Sequence, residues 1–296
     1  RRNSPFVLKL LDSRRMNDEY WYEMPVMETE YRGHPVTNLE EFSKTFVKEH
    51  GMPLPMAIIK ELYAGVFLGL REIHSSGIVH RDVKPSNILL DCSFVPKVCD
   101  FDLCHEIEMN DREGDRSSVD RSIYFDPDQP FAGGTIEFSP PEAWLPTPFN
   151  VTWDSYSLCL SMLETRLNES PWIHGKEKGS DVHVGLIYYD TYSVIVEDKA
   201  SPEQAEKHYL KHSCVVESKE SDSLPWTTER LEFSEFAKEM MCYDIWDRLT
   251  ISDACAHPFM RSVVDRWEAS FEEEGAKLKS MIADFAKVKK SKVDYF

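Results

Sequence analysis

Glycine is scarce in this chain, 12 of 296 residues, and no Gly-x-Gly-x-x-Gly occurs among them. A phosphate-cradling turn of that form is therefore absent from these residues. Positive charge is also in short supply, with 34 Lys and Arg against 52 Asp and Glu and a net charge of −18. That balance excludes a nucleic-acid binder, which needs a basic surface to displace counterions from phosphate. Basic protein partners remain open. No apolar run approaches the ~20 residues that span a bilayer, so a membrane is not expected as a partner either. The start, Arg1-Arg2-Asn3-Ser4, has no methionine and no apolar core of a signal peptide behind it. A processed or truncated N-terminus and a cytoplasmic or nuclear location are the expectations. The seven cysteines are odd in number and scattered, which suits free thiols rather than a disulfide framework. Cys99, Cys104 and His105 form no second pair at zinc-site spacing and read as loop residues.

What is present has a definite order. Residues 6–11 and 20–28 read as two strands around a polar turn at 12–19. Thr37-Asn38-Leu39-Glu40 has the spacing that opens a short helix. Ile59, Leu62, Val66, Leu70 and Ile73 then form a stripe at helical period over 54–75, which Gly77 ends. Short β-rich pieces follow at 78–79, 88–90 and 96–98. Residues 103–134 are polar and acidic and predict a long loop. Residues 153–165 predict a buried helix, and 175–230 a charged surface insertion with helix at Pro202 to Lys211. The end, 259–290, is amphipathic, with Val264, Trp267, Phe271, Leu278, Ile282 and Phe285 on one face. It reads as a helix docked on its own domain, with partner binding as the alternative.

The chemistry concentrates in His80-Arg81-Asp82-Val83-Lys84-Pro85-Ser86-Asn87. A phosphoryl-transfer site needs a carboxylate near the attacking hydroxyl, a cation near the moving phosphate and an oxygen ligand for magnesium. Asp82, Lys84 and Asn87 supply all three within six residues. A polar turn does not explain the full string, which resembles the catalytic loop of eukaryotic protein kinases, with Lys84 in the serine/threonine form. Asp100-Phe101-Asp102 follows in the place of that family's Asp-Phe-Gly, 18 residues after Asp82. The departure at Asp102 is similar to that of the MAP-kinase-interacting kinases, and it removes a glycine's backbone freedom. Gly134-Thr135 through Pro140-Pro141-Glu142 resembles the family's substrate-binding stretch ending in Ala-Pro-Glu. Asp154 matches the aspartate that anchors the catalytic loop, with Cys159 where a glycine is usual. Arg248 matches the arginine paired with Glu142, and His257-Pro258-Phe259 a closing motif. Pro25-Val26-Met27-Glu28 resembles the last strand entering the hinge, although plain strand packing accounts for it as well.

The resemblance covers residues 3 to 261 and implies an α+β, two-lobed fold. Residues 1–30 are then the remainder of an N-lobe and its hinge. Residues 31–261 are a mainly helical C-lobe with insertions at 103–130 and 175–230, and 262–296 a C-terminal amphipathic helix. The family's strand lysine is not supplied by Lys9, because only 17 residues separate it from Met27. Residues 5–11 instead resemble the strand after the missing helix, so roughly the first 60 residues of a standard domain are expected to be absent. The resemblance implies ATP and magnesium as cofactors and Ser/Thr-containing proteins as substrates. A regulatory protein at the C-lobe or the C-terminal helix is a further expectation. It assigns Asp82, Lys84, Asn87 and Thr135 to catalysis, and Asn87 with Asp100 to magnesium. Met27, Glu28, Glu30 and Leu89 surround the adenine, with Asn87 and Asp100 toward the phosphates. The rival from another class is a pseudokinase, a scaffold using its C-lobe surface; a metal-dependent glycosyltransferase rests on Asp100-x-Asp102 alone. Arg81 is normally neutralised by a phosphorylated loop residue in this family, but that slot holds Phe131. Asp126 and Asp128 are the expected substitutes; Ser117, Ser118, Ser122 or Tyr124 as a phosphorylated switch is the alternative.

Overall fold

The computed structural model describes residues 4–17, 19–107, 133–143, 149–168 and 228–287. The expected α+β architecture is present: a helical body carries small two-stranded antiparallel sheets. Its centre is α2 (Met56–Ser75), whose stripe widens into burial on nearly every face, from Ile58 and Leu62 to Leu70 and Ile73. Each fully buried Leu or Ile contributes about 1.5–3 kcal/mol relative to exposure. Helix α1 (Leu39–His50) begins at Asn38, whose side chain accepts from the Glu41 amide at 2.9 Å. The Glu41 carboxylate in turn accepts from the amide and hydroxyl of Thr37, both at 2.8 Å. The cap thus lies one residue later than a box starting at Thr37 would put it.

Gly65 and Gly69 on α2 allow a close crossing. A Cβ at Gly65 would meet the Pro96 ring at 2.6 Å, and one at Gly69 the Phe6 carbonyl at 2.8 Å. Residues 6–8 lie in that notch. Val98 donates to the Phe6 carbonyl and Leu8 to the Val98 carbonyl, each at 2.8 Å.

This corrects the first strand expectation. Residues 6–11 form no hairpin arm; Val7 instead makes a parallel bridge to Val98. The hairpin pairs β1 (Asp12–Met16), inside the stretch expected to be a turn, with β2 (Glu19–Glu23), which coincides with the start of the expected second strand, and residues 24–28 carry no strand. Asn17, at φ 52°, begins the tight reversal. Both hairpin faces are exposed, so no apolar alternation marked its strands. Of the later strands, β3 (Glu30–Tyr31) pairs with β4 (His34–Pro35), a pair the sequence did not single out. The expected strands β5 (Ile78–Val79), β6 (Ile88–Leu90) and β7 (Pro96–Val98) are present; β6 pairs with β7, and β5 with β8 (His105–Glu106), which lies inside the stretch expected to be a loop.

Helix α3 (Thr152–Leu167) is buried from Thr152 through Leu163, as expected. It is followed by α4 (Thr228–Met240), α5 (Ile251–Ala256), α6 (Pro258–Ala269) and α7 (Phe271–Lys287). The amphipathic end is therefore two helices rather than one, because Ser270 is extended (φ −158°, ψ 83°) and interrupts the ladder. Val264, Trp267, Leu278 and Ile282 are buried, while Phe271 and Phe285 are half-buried against the same core. Among the described residues no helix is long and apolar enough to cross a membrane. The body of the 103–134 loop from 108, with Asp126, Asp128 and Phe131, lies outside the described residues. So does the 175–230 insertion up to 227, with its helix at 202–211.

Candidate active site

The site is assembled on α3. Asp154, in its first turn, is fully buried. Its two oxygens accept from the amides of His80 and Arg81, each at 2.8 Å, and from the His74 ring at 2.7 Å. Burial alone would raise its pKa, but the hydrogen bond and charge from His74 and the His80 amide outweigh that and hold the carboxyl below its ordinary value. The ionised group therefore pins the strand-to-loop turn after β5. Further along the same helix, Ser157 donates to the Phe138 carbonyl at 2.7 Å and Ser161 to the Val83 carbonyl at 3.2 Å. Asp154, Ser157 and Ser161 sit at i, i+3 and i+7, one face of a helix.

On that platform, residues far apart in sequence converge. Thr135 donates to Asp82 Oδ1 at 2.6 Å across 53 residues. Lys84 Nζ donates to Asp82 Oδ2 at 2.8 Å and to Thr135 Oγ1 at 2.7 Å. Asn87 Nδ2 donates to Asp82 Oδ2 at 2.9 Å and to its carbonyl at 3.0 Å. Burial pushes the Asp82 carboxyl up, yet the hydrogen bonds from Lys84, Thr135 and Asn87 more than offset it and leave the pKa lowered. Asp82 is thus a carboxylate at neutral pH. A carboxylate offers about four acceptor positions and an ammonium three donors. Three positions of Asp82 and two donors of Lys84 are taken, which leaves one of each for a substrate.

The β6–β7 register brings the oxygen donors for a cation together. Ile88 faces Val98, and the Cys99 amide donates to the Asn87 carbonyl at 3.0 Å, so Asn87 and Asp100 emerge at the same end of the hairpin. Both Asn87 amide donors are used on Asp82, and its Oδ1 is left as an acceptor. Asp100 is exposed in the left-handed region, φ 66°, a strained conformation of the kind found at functional sites. An amide and a carboxylate oxygen suit magnesium, which takes few protein ligands and keeps waters and phosphates for the rest. Asp102 is not among the positive-φ residues, so its place in the turn does not demand glycine. Phe101 packs on His80, ring centroids 5.0 Å apart, and His80 Nε2 donates to the Cys99 carbonyl at 2.9 Å. Burial, with Asp100 beside it, pushes the Cys99 thiol up to about 12, which makes it a poor nucleophile.

Of the hinge residues, Met27 is half-buried, Glu28 exposed, and Glu30 lies on β3. Leu89 is half-buried on β6, bridged to Asn38. The residue that ties this segment to β6 is Thr29, which the sequence did not single out. It is buried, and its hydroxyl donates to the Leu90 carbonyl at 2.6 Å. A threonine between two glutamates carries no signal of its own. His74, Ser157 and Ser161 were also missed; polar residues at helical spacing within an otherwise apolar helix were the available clue.

Behind the site, Arg248 and Glu142 form the expected buried pair, bidentate at 2.5 and 2.9 Å. Arg248 also donates to the carbonyls of Cys242, Thr152 and Tyr243, so its desolvated guanidinium is fully engaged.

Comparison with known proteins bears on this geometry. Residues 1–260 match the family described as protein kinase domain. Among curated proteins, the chain is 25% identical over 218 residues to Mitogen-activated protein kinase HOG1 of Candida glabrata, covering 70% of this chain and 42% of that protein. It is 26% identical over 220 residues to HOG1B of Wallemia ichthyophaga, covering 70% and 51%. Against HOG1 of Saccharomyces cerevisiae it is 24% identical over 217 residues, covering 70% and 43%. The chain spans about half the length of the curated relatives it matches.

Proposed function

The chain belongs to the protein kinase domain family, and from that premise we propose that it transfers the γ-phosphoryl group of ATP to serine or threonine hydroxyls of protein substrates. The observation that carries this reading is the joining of Asp82, Lys84, Asn87 and Thr135 in one hydrogen-bonded cluster. Asp82, held ionised, offers its remaining acceptor position on Oδ1 to the substrate hydroxyl, beside Thr135. It orients that hydroxyl and receives its proton as the phosphoryl group moves. Lys84 directs its unused donor at the charge developing on the transferred group. Asn87 Oδ1 and the Asp100 carboxylate would hold magnesium, which when bound would neutralise charge on the nucleotide's phosphates. Leu89 would lie under the adenine and Met27 beside it, with the backbone of Glu28 and Glu30 as the groups to bind its edge. The serine/threonine preference is supported by Lys84 two residues after Asp82 and by the likeness to mitogen-activated protein kinases.

The test is radiolabel transfer from Mg-ATP to a basic protein substrate by the full-length protein, wild type against Asp82→Ala. Transfer by the wild type that is abolished in the variant is the expected result. Transfer that persists in Asp82→Ala overturns the assignment of Asp82. No transfer by the wild type favours the binding-scaffold reading instead.

A further inference from the structure

Arg81 precedes Asp82 in an unusual state. Its backbone is left-handed, φ 68°, and its amide is held by Asp154. Strain of that kind persists only where the surroundings over-determine it. Its side chain supplies one such restraint. The guanidinium carbon lies 5.1 Å from the centroid of the Trp153 ring and 5.3 Å from that of Phe149. Those two rings meet nearly edge to face, centroids 5.6 Å apart at 74°, so they form a corner around the cation. Trp153 and Phe149 are 1% and 2% exposed, and a cation on an aromatic face is held more strongly when water is excluded.

The indole itself argues that the ring face is what this position uses. Trp153 Nε1 is buried and makes no hydrogen bond among the described residues. A smaller apolar side chain would fill core without burying an unused donor. Arg81 also reaches toward the strand of chain that delivers Thr135. A Cβ at Gly134 would fall 2.9 Å from the Arg81 carbonyl and 3.2 Å from Ser139 Oγ. One at Gly133 would fall 3.4 Å from Arg81 Nη2. Both glycines have φ 104°, which side chains rarely adopt.

We propose that Trp153, with Phe149, is a positioning residue for phosphoryl transfer. Its ring fixes the Arg81 guanidinium, and through it the left-handed turn that aims Asp82 and the glycine approach that aims Thr135. This rests on the kinase reading above, since Asp82 and Thr135 are the groups being placed. Trp153 touches no reacting atom; a small displacement of the groups it steadies is what would cost rate.

The experiment uses the full-length protein as wild type, Trp153→Leu and Trp153→Phe, with steady-state kinetics and hydrogen exchange measured on each. Leu should lower kcat by about tenfold or more while KM for ATP and for the protein substrate stays within about twofold. Amide exchange in residues 79–87 should quicken by about tenfold, while residues 62–70 of α2 exchange as in the wild type. Phe, which keeps a ring for the cation, should restore most of both effects. Unchanged kcat and unchanged exchange at 79–87 overturn the proposal. So does faster exchange that extends equally into α2, since that is loss of core packing alone. If the wild type transfers no phosphate, the kinase reading fails, and the exchange pattern by itself decides whether Trp153 steadies this turn.

Discussion

The β1–β2 hairpin and the α2–α3 platform are both regular, yet they are held by different forces. Every residue of its two strands except half-buried Asp12 is exposed, including Trp21 and Tyr22 at 59% each. Its order comes from a backbone ladder and a tight turn, an arrangement that is marginal in water on its own. In α2, 14 of 20 residues are buried, and the polar groups facing it from α3 are paired. Burial, rather than regular geometry, is what makes the second region able to hold charged groups in fixed places. The lesson is that the ionised Asp154 and Arg248 are tolerated because their own charged atoms are paired, Asp154 with two amides and the His74 ring and Arg248 with Glu142 and three carbonyls.

The largest effect that could break this comparison is expected at Arg248. Arg248→Ala leaves Glu142 buried and unpaired and should cost about 3–5 kcal/mol in urea unfolding. A loss below about 1 kcal/mol, the range of exposed pairs, would show that the buried pair is not what distinguishes the platform. A smaller effect concerns Glu164 on α3. Burial, with Glu40 nearby, pushes its carboxyl from the ordinary 4.5 up to about 7. The folded state then holds a proton that the unfolded state has released between those values. Stability from this group is therefore full below about pH 4.5, falls as pH rises toward 7, and stays reduced above it. Glu164→Gln should remove that decline, so its melting temperature should gain on the wild type at pH 8 but not at pH 4.5. An equal difference at both pH values would refute the buried-acid account. The smallest effect belongs to the hairpin. Trp21→Thr should change stability by no more than about 0.5 kcal/mol despite the residue's size. A loss comparable to that at Arg248 would mean that another part of the protein covers this face.

Local spacing made much of the site legible. His80 through Asn87 fold into a single turn, so the residue types that meet there could be read in line. Strands at 78–79, 88–90 and 96–98 and the stripe of α2 were legible for the same reason: each announces itself within a few residues. The first arm of the hairpin was misplaced because a strand exposed on both faces needs no alternation. The break at Ser270 was missed because the apolar face runs on through both helices, with Trp267 in α6 and Leu278 in α7 buried in one core. Thr29 and Ser161 were missed because their partners, the carbonyls of Leu90 and Val83, lie 61 and 78 residues away.

The sequence by itself determined the class of chemistry: a carboxylate, an ammonium and an amide oxygen within six residues, with a second carboxylate to follow. That follows from residue type and short spacing, which any chain path through the segment preserves. Only the tertiary structure decided that Thr135 and Lys84 occupy opposite oxygens of Asp82, and that Asn87 turns both its donors inward and its oxygen outward. It also decided that Arg81 sits in a corner of two rings, Trp153 in the first turn of α3 and Phe149 just before that helix. Those facts depend on the rotation of α3 about its axis and on the register of β6 against β7. Both are set by how the whole core packs, since neither local propensity nor periodicity distinguishes one rotation or register from its neighbours.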